Sequence, residues 1–377
     1  MVSSLIMLGC CAVSAEDGSE AAGELIDSYS ELYGSRIEDA AGGIIESAVP
    51  YAQGFNLPEL ISRAASGEFP LDVQGVYREL LNALFGKLRE SMKKMTAAAA
   101  VVLLSSLLTP LTEGFAGGGA SRAARYICFI TVAGLTSSVF YDCIEDASGA
   151  IENLSVFMRC IIPVMLMSLL ASGAIVSASA LEPALIGIIE LSVSLIKNLF
   201  MPLAMISAGL GIVNALSESL KTARLIKFIN NFVKYGLSVL LTVFVAFAGL
   251  RSITASGADA LTLKLTKFAS SNLIPIVGGI LSDSVDTVMR CSALIKNSVG
   301  IVGVILVFFI AVMPVLDIIA TLTVLRLTAA FCEPIADKSL VECVSAAGDG
   351  VSMSFSMLVA VSVMFIMIIT VMINISV

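Results

Sequence analysis

The chain alternates long apolar stretches with short polar ones, and the polar residues are not spread evenly. Residues 5–13 (LIMLGCCAV) form a brief apolar run followed by the small residues Val13, Ser14 and Ala15, the pattern of a signal peptide cut after Ala15, although no Lys or Arg precedes it. A lipoprotein box at Cys10 is disfavoured because Leu8 is bulky where a small residue is needed. Between 28 and 45, Leu32, Tyr33, Ile37, Ala40, Ala41, Ile44 and Ile45 recur at helical spacing, with Glu31, Glu38 and Asp39 between them. This predicts an amphipathic helix. Pro50, Pro58 and Pro70 punctuate the chain before a second helical pattern at Val73, Val76, Tyr77, Leu80, Leu81, Leu84 and Leu88. From Met95 onward the apolar runs lengthen to roughly 95–112, 126–141, 155–181, 183–216, 235–255, 299–325 and 351–375. Crossing about 30 Å of hydrocarbon takes about 20 residues of helix, so six to eight crossings are expected. Segment 183–216 is too long for one upright helix and reads as a broken helix or a tight pair.

Composition agrees. The chain is 57% hydrophobic and only 14% charged, with a mean hydropathy of +0.96, too few polar side chains to cover a soluble surface. The fold class expected is all-α, a polytopic helical bundle with some spans broken or re-entrant. Three regions are expected: the signal peptide at 1–15, an acidic helical extracytoplasmic domain at 16–94 and a multispan domain at 95–377. Residues 16–90 hold 14 acidic and 5 basic side chains, so nearly all the excess of the −8 net charge lies there. Such a surface argues against nucleic acid and against anionic lipid, which both demand a basic footprint; the contacts expected of the chain are the lipid bilayer, through its spans, and other proteins. Short loops set orientation through their Lys and Arg. An acidic N-terminus, Arg122 and Arg125 near 113–125, acids in a loop at 142–153, and Lys221, Arg224, Lys227 and Lys234 within 217–234 read as outside, inside, outside, inside. That order requires an odd number of crossings between 154 and 217.

The chemistry is sparse. There is no His and no Trp, and the 8 cysteines show no C-x-x-C pair or metal spacing; those after residue 100 read as small apolar fillers. No enzyme, cofactor or metal site is expected. Charges that fall within apolar runs are Arg159, Glu190, Lys197, Asp317 and Arg326. Each costs about 2.5–3.5 kcal/mol at a helix centre, so each should face another helix or a wet cavity, or snorkel to an interface. Glu190 and Lys197 lie two turns apart on one face and can share a polar environment. Asp317 follows Pro314, where a kink would loosen the helix.

Two stretches echo each other. Met201, Pro202, Gly209 and Gly211 precede LSES (216–219) and LIK (225–227), while Pro275, Gly278 and Gly279 precede LSDS (281–284) and LIK (294–296). As a repeat, these would be broken helices or re-entrant turns bordering a pathway; the rival is coincidence in a Leu/Ile/Ser-rich chain. Locally, Ser282 can cap a helix with Asp283 and Asp286 in its first turn.

Residues 70–95 (PLDVQGVYRELLNALFGKLRESMKKM) and 274–300 (IPIVGGILSDSVDTVMRCSALIKNSVG) resemble the stage III sporulation protein AE family, and the order of segments resembles it along nearly the whole chain. The resemblance implies a component of the secretion-like channel complex between mother cell and forespore, seated in the mother-cell membrane facing the forespore. It implies ring-forming membrane proteins and a cytoplasmic ATPase as partners, and it carries no catalytic residues. The alternative is an autonomous transporter or channel with broken helices around the buried charges.

Overall fold

A computed structural model describes residue 43 and residues 61–64, 73–115, 118–171, 175–216, 222–246 and 277–374. The signal-peptide segment, the amphipathic helix at 28–45 apart from Gly43, residues 217–221 and Pro275 lie outside the described residues. Among the described residues there is no strand. The helices are α1 (Val73–Phe115), α2 (Gly118–Ala171), α3 (Ile175–Leu195), a π-helical turn (Ile196–Phe200), α4 (Met201–Leu216), α5 (Ala223–Ala246), α6 (Val277–Cys332) and α7 (Lys338–Asn374). Five runs are long and apolar enough to cross a membrane: Arg125–Ala171, Pro183–Leu216, Ala223–Ala246, Met289–Cys332 and Lys338–Asn374.

Side-chain contacts give the direction of every helix. Lys87 meets Asp317 and Ser91 meets Thr321, both 230 residues apart, so α1 and α6 run parallel. Glu152 with Lys197 and Arg159 with Glu190 make α2 and α3 antiparallel. Ser207 with Asn230 and Asn214 with Thr222 make α4 and α5 an antiparallel hairpin. Gly300 against Ile373 and Arg326 against Asp349 do the same for α6 and α7. Six runs therefore alternate in direction: α1, α2, the α3–π–α4 run, α5, α6 and α7. Phe115, Gly118, Leu216, Ala223, Cys332 and Lys338 lie at one end, and the start of α1 and Asn374 lie at the other.

Three sequence expectations are corrected. The acidic stretch 142–153 is not a loop but the middle of α2. It holds no proline, and Cys143, Ile144, Ala147, Ala150, Ile151 and Leu154 keep helical spacing and are buried, which outweighs the charges between them. Two apolar runs thus belong to one helix of 54 residues. At about 1.5 Å per residue α2 and α6 are each about 80 Å long, well beyond a hydrocarbon core of about 30 Å, so both project from the bilayer. Segment 183–216 is not a tight pair; it is one continuous run with a π-turn in it. Proline 202 explains the turn: it has no N–H to bond residue 198, and the wider turn, closed by Met201 N–H to Ile196 O, takes up the mismatch. Finally, α6 begins at Val277, so Ser282 is not its cap and Asp283 and Asp286 fall beyond its first turn.

The core is one apolar cluster drawn from every helix, and it includes fully buried Ile61 from residues 61–64. Small residues let α4 and α7 approach closely. A Cβ added at Gly211 would lie 2.8 Å from the Ala346 Cβ, and one at Gly350 would lie 2.8 Å from the Ala208 Cβ and clash with the edge of the Phe140 ring. Such small-residue contact is how membrane helices associate where no water drives them together.

Candidate functional site

The polar groups inside the apolar bundle are arranged as a set of interhelical pairs. The largest joins α2 to α3 and the π-turn. Arg159 Nε lies 2.7 Å from Glu190 Oε1 and its second nitrogen donates to Glu190 Oε2 at 3.0 Å, a two-pronged contact that suits the planar guanidinium. Lys197 Nζ donates to Glu152 Oε2 at 2.5 Å. Glu190 and Lys197 share a face as expected, but each is neutralised from α2 and not by the other. The two helices carry the same order, acid then base seven residues later, and antiparallel packing turns that order into complementarity.

A second seam joins α1 to α6. Lys87 Nζ donates to Asp317 Oδ2 at 3.1 Å, and one turn on, the buried Ser91 and Thr321 hydroxyls are 3.0 Å apart. Asp317 is therefore held by an ion pair, and α6 stays helical through Pro314. Lys87 comes from the stretch assigned by sequence to the N-terminal domain, and α1 runs through residue 94 without a break. Arg326 is likewise paired, at 2.6 Å with Asp349 of α7. Thus every charge that the sequence placed inside an apolar run has an opposite charge on a neighbouring helix.

The hinge candidates are less united. Pro202 is exposed beside the π-turn, and Gly209 is exposed with nothing within 4 Å of an added Cβ. Gly211 is a packing contact with α7. Gly278 and Gly279 lie in the first turn of α6 as ordinary helix, so the re-entrant turn expected there is not seen in the described residues. The two echoing stretches also differ in setting: Met201–Pro202 is mid-run, whereas LSDS is inside α6 and LSES begins where α4 ends.

Sequence reading missed the partners Lys87, Glu152 and Asp349. The signal for one was present, since Glu152 and Arg159 repeat the spacing of Glu190 and Lys197. It also missed Lys296, 3% exposed on α6 and the most deeply buried charged side chain among the described residues. Ser207 and Asn230, hydrogen-bonded between α4 and α5, were not singled out either. Among the described residues no three His, Cys, Asp or Glu side chains are grouped to hold a metal ion. An open cleft of about 470 Å³ between the end of α6 and the start of α7 is lined by the mixed charges Arg326, Glu333, Lys338 and Glu342 together with Ser345.

Comparison with known proteins gives the context for this arrangement. The stage III sporulation protein AE of Bacillus subtilis (strain 168) is 29% identical over 333 residues, covering 88% of this chain and 82% of that protein. No solved structure matches the chain. The family description "Stage III sporulation protein AE" matches residues 55–376, which takes in all the described helices. The chain belongs to the stage III sporulation protein AE family and is a membrane protein with a role in sporulation, where it works with other sporulation proteins.

Proposed function

We propose that this protein is a membrane scaffold or export-gate component of the secretion-like channel complex that links mother cell and forespore. Family membership carries the reading. The polar pairs support it from physics: Arg159, Glu190, Lys197, Asp317 and Arg326 hold helices to one another, which suits a fixed platform for partners better than a pathway lined by free charges. Non-enzymatic action is part of the proposal. Its partners are ring-forming membrane proteins and a cytoplasmic ATPase, and its seat is the mother-cell membrane.

Orientation belongs to the same proposal. Arg122 and Arg125 near the start of α2, and Arg224 and Lys227 near the start of α5, fall at one end of the bundle, now joined by an even number of runs. By the bias of Lys and Arg to the cytoplasm, that end is cytoplasmic. The start of α1, with the acidic stretch that precedes it in sequence, and Asn374 then face the forespore. Cysteines introduced at 30 and 375 are expected to react with an impermeant maleimide from outside and one at 222 only after permeabilisation; labelling of 30 and 222 from one side would overturn the orientation.

Co-purification from sporulating cells tests the function itself. The tagged protein is expected to bring down the ring-forming proteins and the ATPase. Solute flux through liposomes containing the purified protein alone, lost in Asp317→Asn, would instead make it an autonomous transporter.

A further inference from the structure

Helix α5 is the outermost of the described helices. It touches the rest of the bundle through Ile229, Val233, Leu237 and Phe244, through Asn230 bonded to Ser207, and through the edge of Phe232 on Phe200 at 6.4 Å. About a third of a turn round from that face runs an exposed polar stripe, Lys227, Asn231, Lys234 and Ser238, at spacings of four, three and four residues. Beside it, Phe228 and Tyr235 are 67% and 71% exposed. Lys234 lies midway along a run long and apolar enough to span a membrane, where an uncovered ammonium is costly. Among the described residues neither lysine has an ion-pair partner.

A matching stripe of opposite sign exists on the same chain. Asp142 and Glu145 of α2 are exposed, and among the described residues they too form no ion pair. The two stripes lie at one depth. Gly350 abuts both Phe140 and Ala208, and the neighbouring Ser207 is bonded to Asn230, so Phe140 of α2 and Asn230 of α5 are level. Both helices descend from there in the same direction. Glu145 lies five residues below Phe140 and Lys234 four below Asn230, a difference of about 1.5 Å along the axis.

We propose that copies of this chain associate head to tail in the membrane, the basic stripe of α5 on one copy docking against Asp142 and Glu145 of α2 on the next. Rotation about an axis parallel to the helices preserves depth, so only groups at equal depth meet between copies of a ring. The two unpaired stripes satisfy that condition with opposite charge. Contact between two α5 stripes would set lysine against lysine. A contact between different patches of identical chains continues from copy to copy and closes into a ring when the rotation divides a full turn. The exposed Phe228 and Tyr235 supply apolar area flanking the charge pairs, and the arrangement is independent of the other partners proposed above.

Native mass measurement of the full chain in lipid nanodiscs is expected to show an oligomer. Lys234→Glu and Glu145→Lys should each weaken association at least about tenfold, the scale for setting like charges across an interface, and combining them should restore it. As a check that does not depend on either reversed variant folding, Lys234→Cys and Glu145→Cys variants carrying different tags are mixed in one membrane. They should form a mixed disulfide dimer that neither variant forms with the wild-type chain. A monomeric wild type, oligomers indifferent to both reversals, or cross-linking no greater than that background would overturn the proposal.

Discussion

Gly350→Ile is expected to leave little folded protein in the membrane. The added Cβ alone clashes with the edge of the Phe140 ring and comes 2.8 Å from the Ala208 Cβ, and that Cβ is fixed to the α4 backbone. The Phe140 ring must swing aside within a buried core, and the Ala208 Cβ cannot yield without moving α4, so α4 and α7 must part at this level. Overpacking of a close-packed core costs about 1–3 kcal/mol when side chains can adjust, and here the branched remainder has nowhere to go. Gly209, two residues from Gly211 on the same helix, is the contrasting case. Its Cβ would meet nothing within 4 Å, so Gly209→Ala should raise stability by up to about 1 kcal/mol through helix propensity alone. Thermal unfolding in detergent and the frequency of spore formation check both. A Gly350→Ile protein that melts like the wild type would refute the packing order described. A folded Gly209→Ala protein that fails in sporulation would restore Gly209 as a hinge.

The contrast between these glycines shows where sequence reading reached its limit. Composition and apolar run length predicted an all-α membrane bundle, because lipid leaves a backbone few alternatives to helix. Charge bias placed 113–125 and 217–234 on one side, and the two helix ends do lie together in the bundle. The intermediate step failed, since a run of acids at 142–153 was read as a loop when its apolar residues still followed a helical period. Charge does not by itself end a helix: the apolar residues between the acids keep the helical period and are buried, so α2 continues through them.

Glycine and proline were also overread. Pro202 needed only a π-turn, Gly211 needed room for Ala346, and Gly278 opens α6 without a break. Which role a small residue takes depends on what stands opposite, and one sequence does not contain that. The charges were read better. Each of the five was expected to face another helix or a wet cavity, or to snorkel, and each faces an opposite charge, but the partners Lys87, Glu152 and Asp349 lay in stretches read as domain or loop.

The pairing of α2 with α3 leads to the second large effect. Lys197→Glu should set a carboxylate against Glu152 and leave Arg159 and Glu190 as the remaining pair between the two helices. Lys197 is 28% and Glu152 46% exposed, so the contact is only partly open to screening. An unpaired charge at a helix centre costs about 2.5–3.5 kcal/mol, and the new repulsion adds to it. The variant is therefore expected to accumulate poorly and to expose α3 to proteolysis. Adding Glu152→Lys rebuilds the contact with its polarity reversed and should recover most of the loss, which two independent defects would not do. Glu152→Gln with Lys197→Met, which removes both charges, should fall close to wild type, because an ion pair taken out whole leaves no orphan behind. If the reversed pair is no better than Lys197→Glu alone, these residues do not meet, and the antiparallel register of α2 and α3 is set by something other than charge.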